Sequence, residues 1–126
     1  TLEYLKRGGR ISKTAALAGG LLNIKPMITV RDGEVVLIGK ARGSKQGNSL
    51  LVEKIRACGG IDFDLPILLG YSGLSGLSGE SLETYVEYSH DLWERGTEIL
   101  DKTCISGVIG THTGPGVVAA AFFRKY

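Results

Sequence analysis

Glycine sets the strongest limit on how this chain can fold. It fills 19 of 126 positions, roughly twice the usual share of about 7%. The glycines lack a three-residue period, which excludes collagen. They come in pairs and short clusters between apolar segments, at Gly8-Gly9, Gly19-Gly20, Gly59-Gly60 and Gly110 to Gly116. Residues without a Cβ turn where others clash, so the clusters read as the punctuation of many short elements. With 43% of residues hydrophobic, the pieces between them suffice for one core of ordinary globular type. No run of about 18 apolar residues exists, so a membrane-spanning helix is not expected. The N-terminus turns basic without an apolar core after it, and so does not read as a signal peptide. Two cysteines, Cys58 and Cys104, are too few for a disulfide scaffold and lack metal spacing. Reduced thiols and a cytoplasmic location follow as expectations.

Between the glycines the chain alternates helical and extended patterns. Residues 2–7 form the end of a helix stopped by Gly8-Gly9. A chain entering at Thr1 with no room for a first element reads as a fragment of a longer protein. Ser12 caps a helix over Lys13 to Leu22. Pro26 to Arg31 and Glu34 to Ala41 are strands joined by Asp32-Gly33, a strong hairpin signal. After Gly43-Ser44 comes a helix of about 12 residues with an apolar stripe at Leu51, Val52, Ile55 and Cys58. Leu65 to Tyr71 is a buried strand, and the Ser-Gly-Leu repeat of residues 72–79 a flexible loop. The 3–4 spacing of apolar residues predicts one helix from Glu80 to about Lys102, anchored in the core by Tyr85 and Trp93. Cys104 to Ile109 and Val117 to Phe123 read as strands, with a glycine-framed loop between them. The expected fold is a two-layer α/β sandwich: one mixed sheet of about six strands, with helices packed on one face.

Charge is segregated. Residues 1–63 hold 11 basic and 5 acidic groups, and residues 64–126 hold 4 basic and 8 acidic. The basic half suits an anionic ligand or an acidic partner, or forms a solvated face balanced by the acidic helix. Without basic–aromatic interleaving, nucleic acid is not an expected partner.

Two segments carry chemistry. In Gly8-Gly9-Arg10-Ile11-Ser12 an arginine stands just before a helix start, where free N–H groups favour an anion and the guanidinium fork matches carboxylate or phosphate. In Gly110 to Gly116, glycines and Pro115 gather Thr111, His112 and Thr113, all able to donate to an anion. The plain alternative is a helix stop in one case and a tight turn in the other. No Walker A loop, nucleophile elbow, zinc spacing or carboxylate pair appears. No catalytic residue, metal or cofactor is therefore expected.

In order along the chain, four strings are similar to motifs of the DegV family of fatty-acid-binding proteins. They are Tyr4-Leu5-Lys6-Arg7-Gly8-Gly9-Arg10-Ile11, Leu21-Leu22-Asn23-Ile24-Lys25-Pro26, Gly39-Lys40-Ala41-Arg42-Gly43 and Gly110-Thr111-His112-Thr113-Gly114-Pro115-Gly116. The resemblance implies that residues 1–126 are a C-terminal domain whose N-terminal partner domain is absent. It implies a long-chain fatty acid as ligand, and a dihydroxyacetone-kinase-like, ATP-binding subunit that phosphorylates the presented carboxylate. On this reading Arg10, His112, Thr111 and Thr113 lie at the head group. Leu22, Ile24, Met27, Ile28 and Phe122 line the tail pocket, and Arg42 meets the kinase. Two other classes stand beside this one: a regulatory module binding a small soluble anion, and a kinase domain of the dihydroxyacetone-kinase type. The second lacks its substrate-linking histidine and ATP-site acids here.

Overall fold

The computed structural model describes residues 2–10, 24–73 and 80–126. The expected helix over residues 13–22 and most of the Ser-Gly-Leu repeat, residues 74–79, lie outside them.

Helix α1 (Leu2–Arg7) ends as its glycines dictate. The N–H of Gly9 donates to the Lys6 carbonyl at 3.1 Å and that of Arg10 to the Leu5 carbonyl at 2.9 Å. With Gly9 at φ +68°, this is a Schellman ending, in which a left-handed glycine lets the last carbonyls be satisfied.

Strands β1 (Ile24–Arg31) and β2 (Glu34–Arg42) form the predicted antiparallel hairpin. Asp32 and Gly33 both take positive φ, 52° and 80°. This turn matches the right-handed twist of its strands. The register passes from Met27 opposite Gly39 to Ile28 opposite Leu37, so Ile38 is bulged out. Helix α2 (Gly43–Ala57) runs to 15 residues and packs across the hairpin. A Cβ on Gly39 would sit 3.0 Å from the Leu50 side chain, so a bare backbone there lets helix and sheet approach. The opposite side of α2 serves a second core: Ile55 is buried, with Leu51 and Val52 beside it. Cys58, expected on this stripe, is exposed; its thiol donates to the Ile55 carbonyl at 3.1 Å.

The second sheet is made of three four-residue strands. Strand β3 (Leu68–Tyr71) lies in the middle, parallel to β4 (Asp101–Cys104) and antiparallel to β5 (Val118–Ala121). Helix α3 (Glu80–Tyr88) covers it. Leu69, Leu82 and Tyr85 are completely buried at this junction, and Trp93 joins them. The α/β class is as expected, but one mixed sheet of about six strands is not. Among the described residues five strands form two separate sheets, because β1 and β2 pair only with each other while β3 pairs with β4 and β5.

Two further expectations are corrected. The helix predicted from Glu80 to Lys102 stops at Tyr88. Ser89 turns its hydroxyl back onto the Tyr85 carbonyl at 2.7 Å and accepts the Trp93 indole N–H at 3.0 Å. A short 3-10 turn, His90–Leu92, follows, and Gly96 takes φ +84°. The apolar rhythm persists because Leu92, Trp93 and Leu100 still reach the core, by way of turns. The segment expected as a strand from Cys104 to Ile109, with a loop after it, becomes helix α4 (Gly107–Thr113). Its Val108 and Ile109 remain exposed, so no burial selects the strand. The last strand is also shorter than Val117 to Phe123, ending at Ala121.

Burial gives Tyr85 a pH signature. Desolvation raises its phenol from 10.0 to about 12, opposed by the nearby Ser89 hydroxyl. The phenol oxygen itself has no hydrogen-bond partner within contact distance among the described residues. A raised value favours the protonated form in the folded state. The stabilisation is therefore whole below pH 10 and is lost as pH rises from about 10 to 12. We expect an alkaline decline on the order of 2 kcal/mol in urea-unfolding free energy that Tyr85→Phe flattens. An unchanged alkaline limb in that variant would count against the assignment.

Candidate functional site

The two glycine-framed segments meet in space. Helix α1 packs against α4, and Gly8 lies on the ring of His112. A Cβ built on Gly8 would overlap Nδ1 and lie 3.1 Å from Cε1 and 3.2 Å from Cγ. Arg10, two residues on, folds back so that Nη1 donates to the Gly8 carbonyl at 3.2 Å. Arg10 and His112, 102 positions apart in sequence, thus share one residue as their common support. The guanidinium is exposed, and His112 is half-buried with Nδ1 sealed from solvent.

Thr111 and Thr113 belong to this corner, and their hydroxyls bond back onto the helix. The Thr111 hydroxyl donates to the Gly107 carbonyl at 2.6 Å and that of Thr113 to the Ile109 carbonyl at 3.0 Å. Such bonds to the carbonyl four residues back are a usual alternative for hydroxyls within helices. Both hydroxyls are engaged within the helix, and their place at the head group stays with the proposal below. The exposed donor of this corner is the Arg10 guanidinium, with the half-buried His112 ring across Gly8 from it.

The turn after α4 is held by a residue that the sequence reading assigned to the flexible repeat. Ser72, at the end of β3 and 6% exposed, donates its hydroxyl to the Gly114 carbonyl at 2.6 Å. The same oxygen accepts the Val117 N–H at 3.1 Å. The Ser72 carbonyl accepts the Gly116 N–H at 2.8 Å. The only hint in the sequence is a hydroxyl directly after an apolar strand.

Of the tail candidates, Leu22 lies outside the described residues. Ile24, Met27 and Ile28 are all half-buried on β1. Met27 stands opposite Gly39 and shares its face, toward α2. Strand alternation puts Ile24 and Ile28 on the other face. Phe122 packs against the main core beyond β5. Arg42 is exposed at the junction of β2 and α2, opposite Ile24, its backbone N–H donating to Gln46 Oε1 at 3.0 Å. The structure thus joins Arg10 to His112 but spreads the other candidates over several elements.

A cavity of about 160 Å³ opens elsewhere, among Phe63, Leu65, Ile67, Ile99 and Leu100. Ligand sites usually measure about 300–1,000 Å³, so it is too small for a long acyl chain and contains none of these candidates. Among the described residues, no group of His, Cys, Asp and Glu could hold a metal ion. No described helix is long and apolar enough to cross a membrane.

The family model described as "Uncharacterised protein, DegV family" matches residues 1–125. The chain belongs to the DegV family. A DegV domain-containing protein of Caldanaerobacter subterraneus subsp. tengcongensis is 34% identical over 125 residues, 99% of this chain and 42% of the relative. A solved DegV family protein from Thermus thermophilus, presented as fatty-acid binding, is 31% identical with a TM-score of 0.68, over 95% of this chain and 41% of that one. The fatty acid kinase B3 protein of Streptococcus pneumoniae, solved with linoleic acid, shares the fold. Its TM-score is 0.74 at 20% identity, over 94% of this chain and 40% of the other. This DegV chain therefore spans about two-fifths of the length of these relatives.

Proposed function

We propose that this DegV chain is the C-terminal part of a fatty-acid carrier and supplies its head-group corner. The observation that carries the reading is the seating of His112 on Gly8, beside Arg10. Two segments from opposite ends of the chain converge on one pair of donors suited to a carboxylate. The fatty acid named for the Thermus thermophilus relative supplies the ligand class. Ile24 and Ile28, on the hairpin face turned from α2, offer an apolar wall for part of the tail. Met27, Leu22 and Phe122 stay with the proposal as further tail residues. Each buried methylene contributes about 0.8 kcal/mol, so the tail supplies most of the affinity and the corner mainly orients the head.

The rest of the pocket, on this reading, comes from the partner domain in the longer protein. A kinase subunit carrying ATP then phosphorylates the presented carboxylate, with Arg42 on the docking face. This chain supplies no catalytic group of its own.

The test is solvent extraction and mass spectrometry of this chain and of the longer protein containing it, purified side by side. Stoichiometric fatty acid in the longer protein is the expected result, and its absence here would place part of the pocket outside this chain. No fatty acid in either folded sample would overturn the proposal and favour the small soluble anion. In the longer protein, Arg10→Ala and His112→Ala should lower acyl-phosphate formation with the kinase more than fatty-acid retention. Undiminished turnover in both variants would remove these residues from the head group.

A further inference from the structure

Gly8 is a glycine whose backbone does not require one. The left-handed glycines include Gly9 at φ +68° and Gly114 at φ +82°, but not Gly8. What excludes a side chain is the His112 ring, whose Nδ1, Cε1 and Cγ occupy the space a Cβ would fill. The backbone of Gly8 does not serve the ring in return. Its N–H donates to the Tyr4 carbonyl at 2.9 Å, and its carbonyl accepts from Arg10. Nδ1 is therefore sealed with no hydrogen-bond partner among the described residues. The other ring nitrogen, Nε2, is not among the described buried atoms that lack a partner.

We propose that Gly8 is a positioning residue, the seat that holds the His112 ring with Nδ1 covered and presents Nε2–H as its one outward donor. This rests on the carboxylate-binding reading above. The tautomer follows from the cost of burial. An unpaired N–H buried against an aliphatic Cα is rarer and costlier than a buried lone pair, so the neutral ring keeps its proton on Nε2. A carboxylate or phosphate oxygen only accepts, which is the complement of that donor. The Schellman ending of α1 and the backbone bonds of α4 hold the two contact surfaces in place, so a side chain at position 8 must displace the ring.

The experiment is a double-mutant cycle in the longer protein, with palmitate and hexadecanol as probes. Gly8→Ala and His112→Ala should each weaken palmitate binding about tenfold or more, the usual effect of losing a hydrogen bond to a charged group. The double variant should be no weaker than His112→Ala alone, because with the ring gone nothing occupies the space. Hexadecanol, lacking the carboxylate, should be little affected by Gly8→Ala. Losses that add, or palmitate affinity unchanged in Gly8→Ala, would overturn the proposal.

Side-chain ¹⁵N spectra of His112 test the seat separately from the ligand. The protonated nitrogen should be Nε2 in the unaltered protein, and the signals should shift in Gly8→Ala. Protonation at Nδ1 would overturn the orientation even if fatty acid binds. Nε2–H with no palmitate binding in any form would leave the seat standing and sink only the carboxylate reading. Thermal melts separate misfolding: Gly8→Ala should lower Tm when His112 is present and not when it is Ala. An equal drop in both backgrounds would make the glycine a backbone requirement and reject the ring contact as its cause.

Discussion

Trp93→Ala should cost about 3–5 kcal/mol of unfolding free energy, the range for removing a buried aromatic side chain. Trp93 is 3% exposed and packs with Leu69, Leu82 and Tyr85. Its indole N–H also donates to the buried Ser89 hydroxyl, which in turn holds the Tyr85 carbonyl where α3 ends. The substitution therefore opens a cavity and loosens the link between helix and turn. Domains of this size have total stabilities of about 5–15 kcal/mol, so about a fifth or more would vanish. Trp93→Phe, which keeps most of the bulk and loses the donor, should cost much less. Urea titrations of the three proteins measure this. A loss below about 1 kcal/mol for Trp93→Ala would mean that the pocket collapses around the missing ring.

Gly114→Ala should cost about 1–3 kcal/mol through the backbone alone. Gly114 takes φ 82° and ψ 179°, a region essentially reserved for glycine. Its N–H closes α4 onto the Gly110 carbonyl at 2.8 Å, and its carbonyl receives the Ser72 hydroxyl at 2.6 Å. Ser72→Ala strips partners from both Gly114 and Val117 and should cost a similar 1–3 kcal/mol. Since both changes release the same turn, the double variant should fall short of the sum. Strict additivity in denaturation experiments would separate the hydroxyl from the turn geometry. Because His112 lies two residues before Gly114 on α4, either change should also blur the ring's position on Gly8.

Much of the local structure was legible. Asp32-Gly33 announced the hairpin because few other residue pairs accept two positive φ values in succession. Gly8-Gly9 announced the end of α1 because its second glycine, Gly9, takes a positive φ. Tyr85 and Trp93 read correctly as core anchors, being too large and apolar to leave outside. The misreadings share a cause. Leu82 to Leu100 keeps a helical rhythm, but Ser89 and Gly96 interrupt the backbone and turns carry the later residues to the core. Val108 and Ile109 look like strand residues, yet both stay exposed, and local hydrogen bonding takes the segment into a helix.

The candidate site divided along the same line. Arg10 and His112 stood out because each is a chemically capable residue framed by glycines. That Thr111 and Thr113 spend their donors inside α4, and that Ser72 ties down the following turn, depends on partners four or more than forty residues away. The first follow only once the segment is known to be helical, and no spacing rule encodes the second.

What the sequence by itself determined was the set of forced backbone positions, the apolar anchors and the family. These follow from steric limits within a few residues, and from ordered motifs along the whole chain. The tertiary structure alone decided that five described strands divide into two sheets and that α1 meets α4. It also assigned the two glycines of one motif different tasks. Gly9 is required by its own φ, whereas Gly8 is required by a histidine 104 positions away, a constraint that exists only once packing brings the two surfaces together.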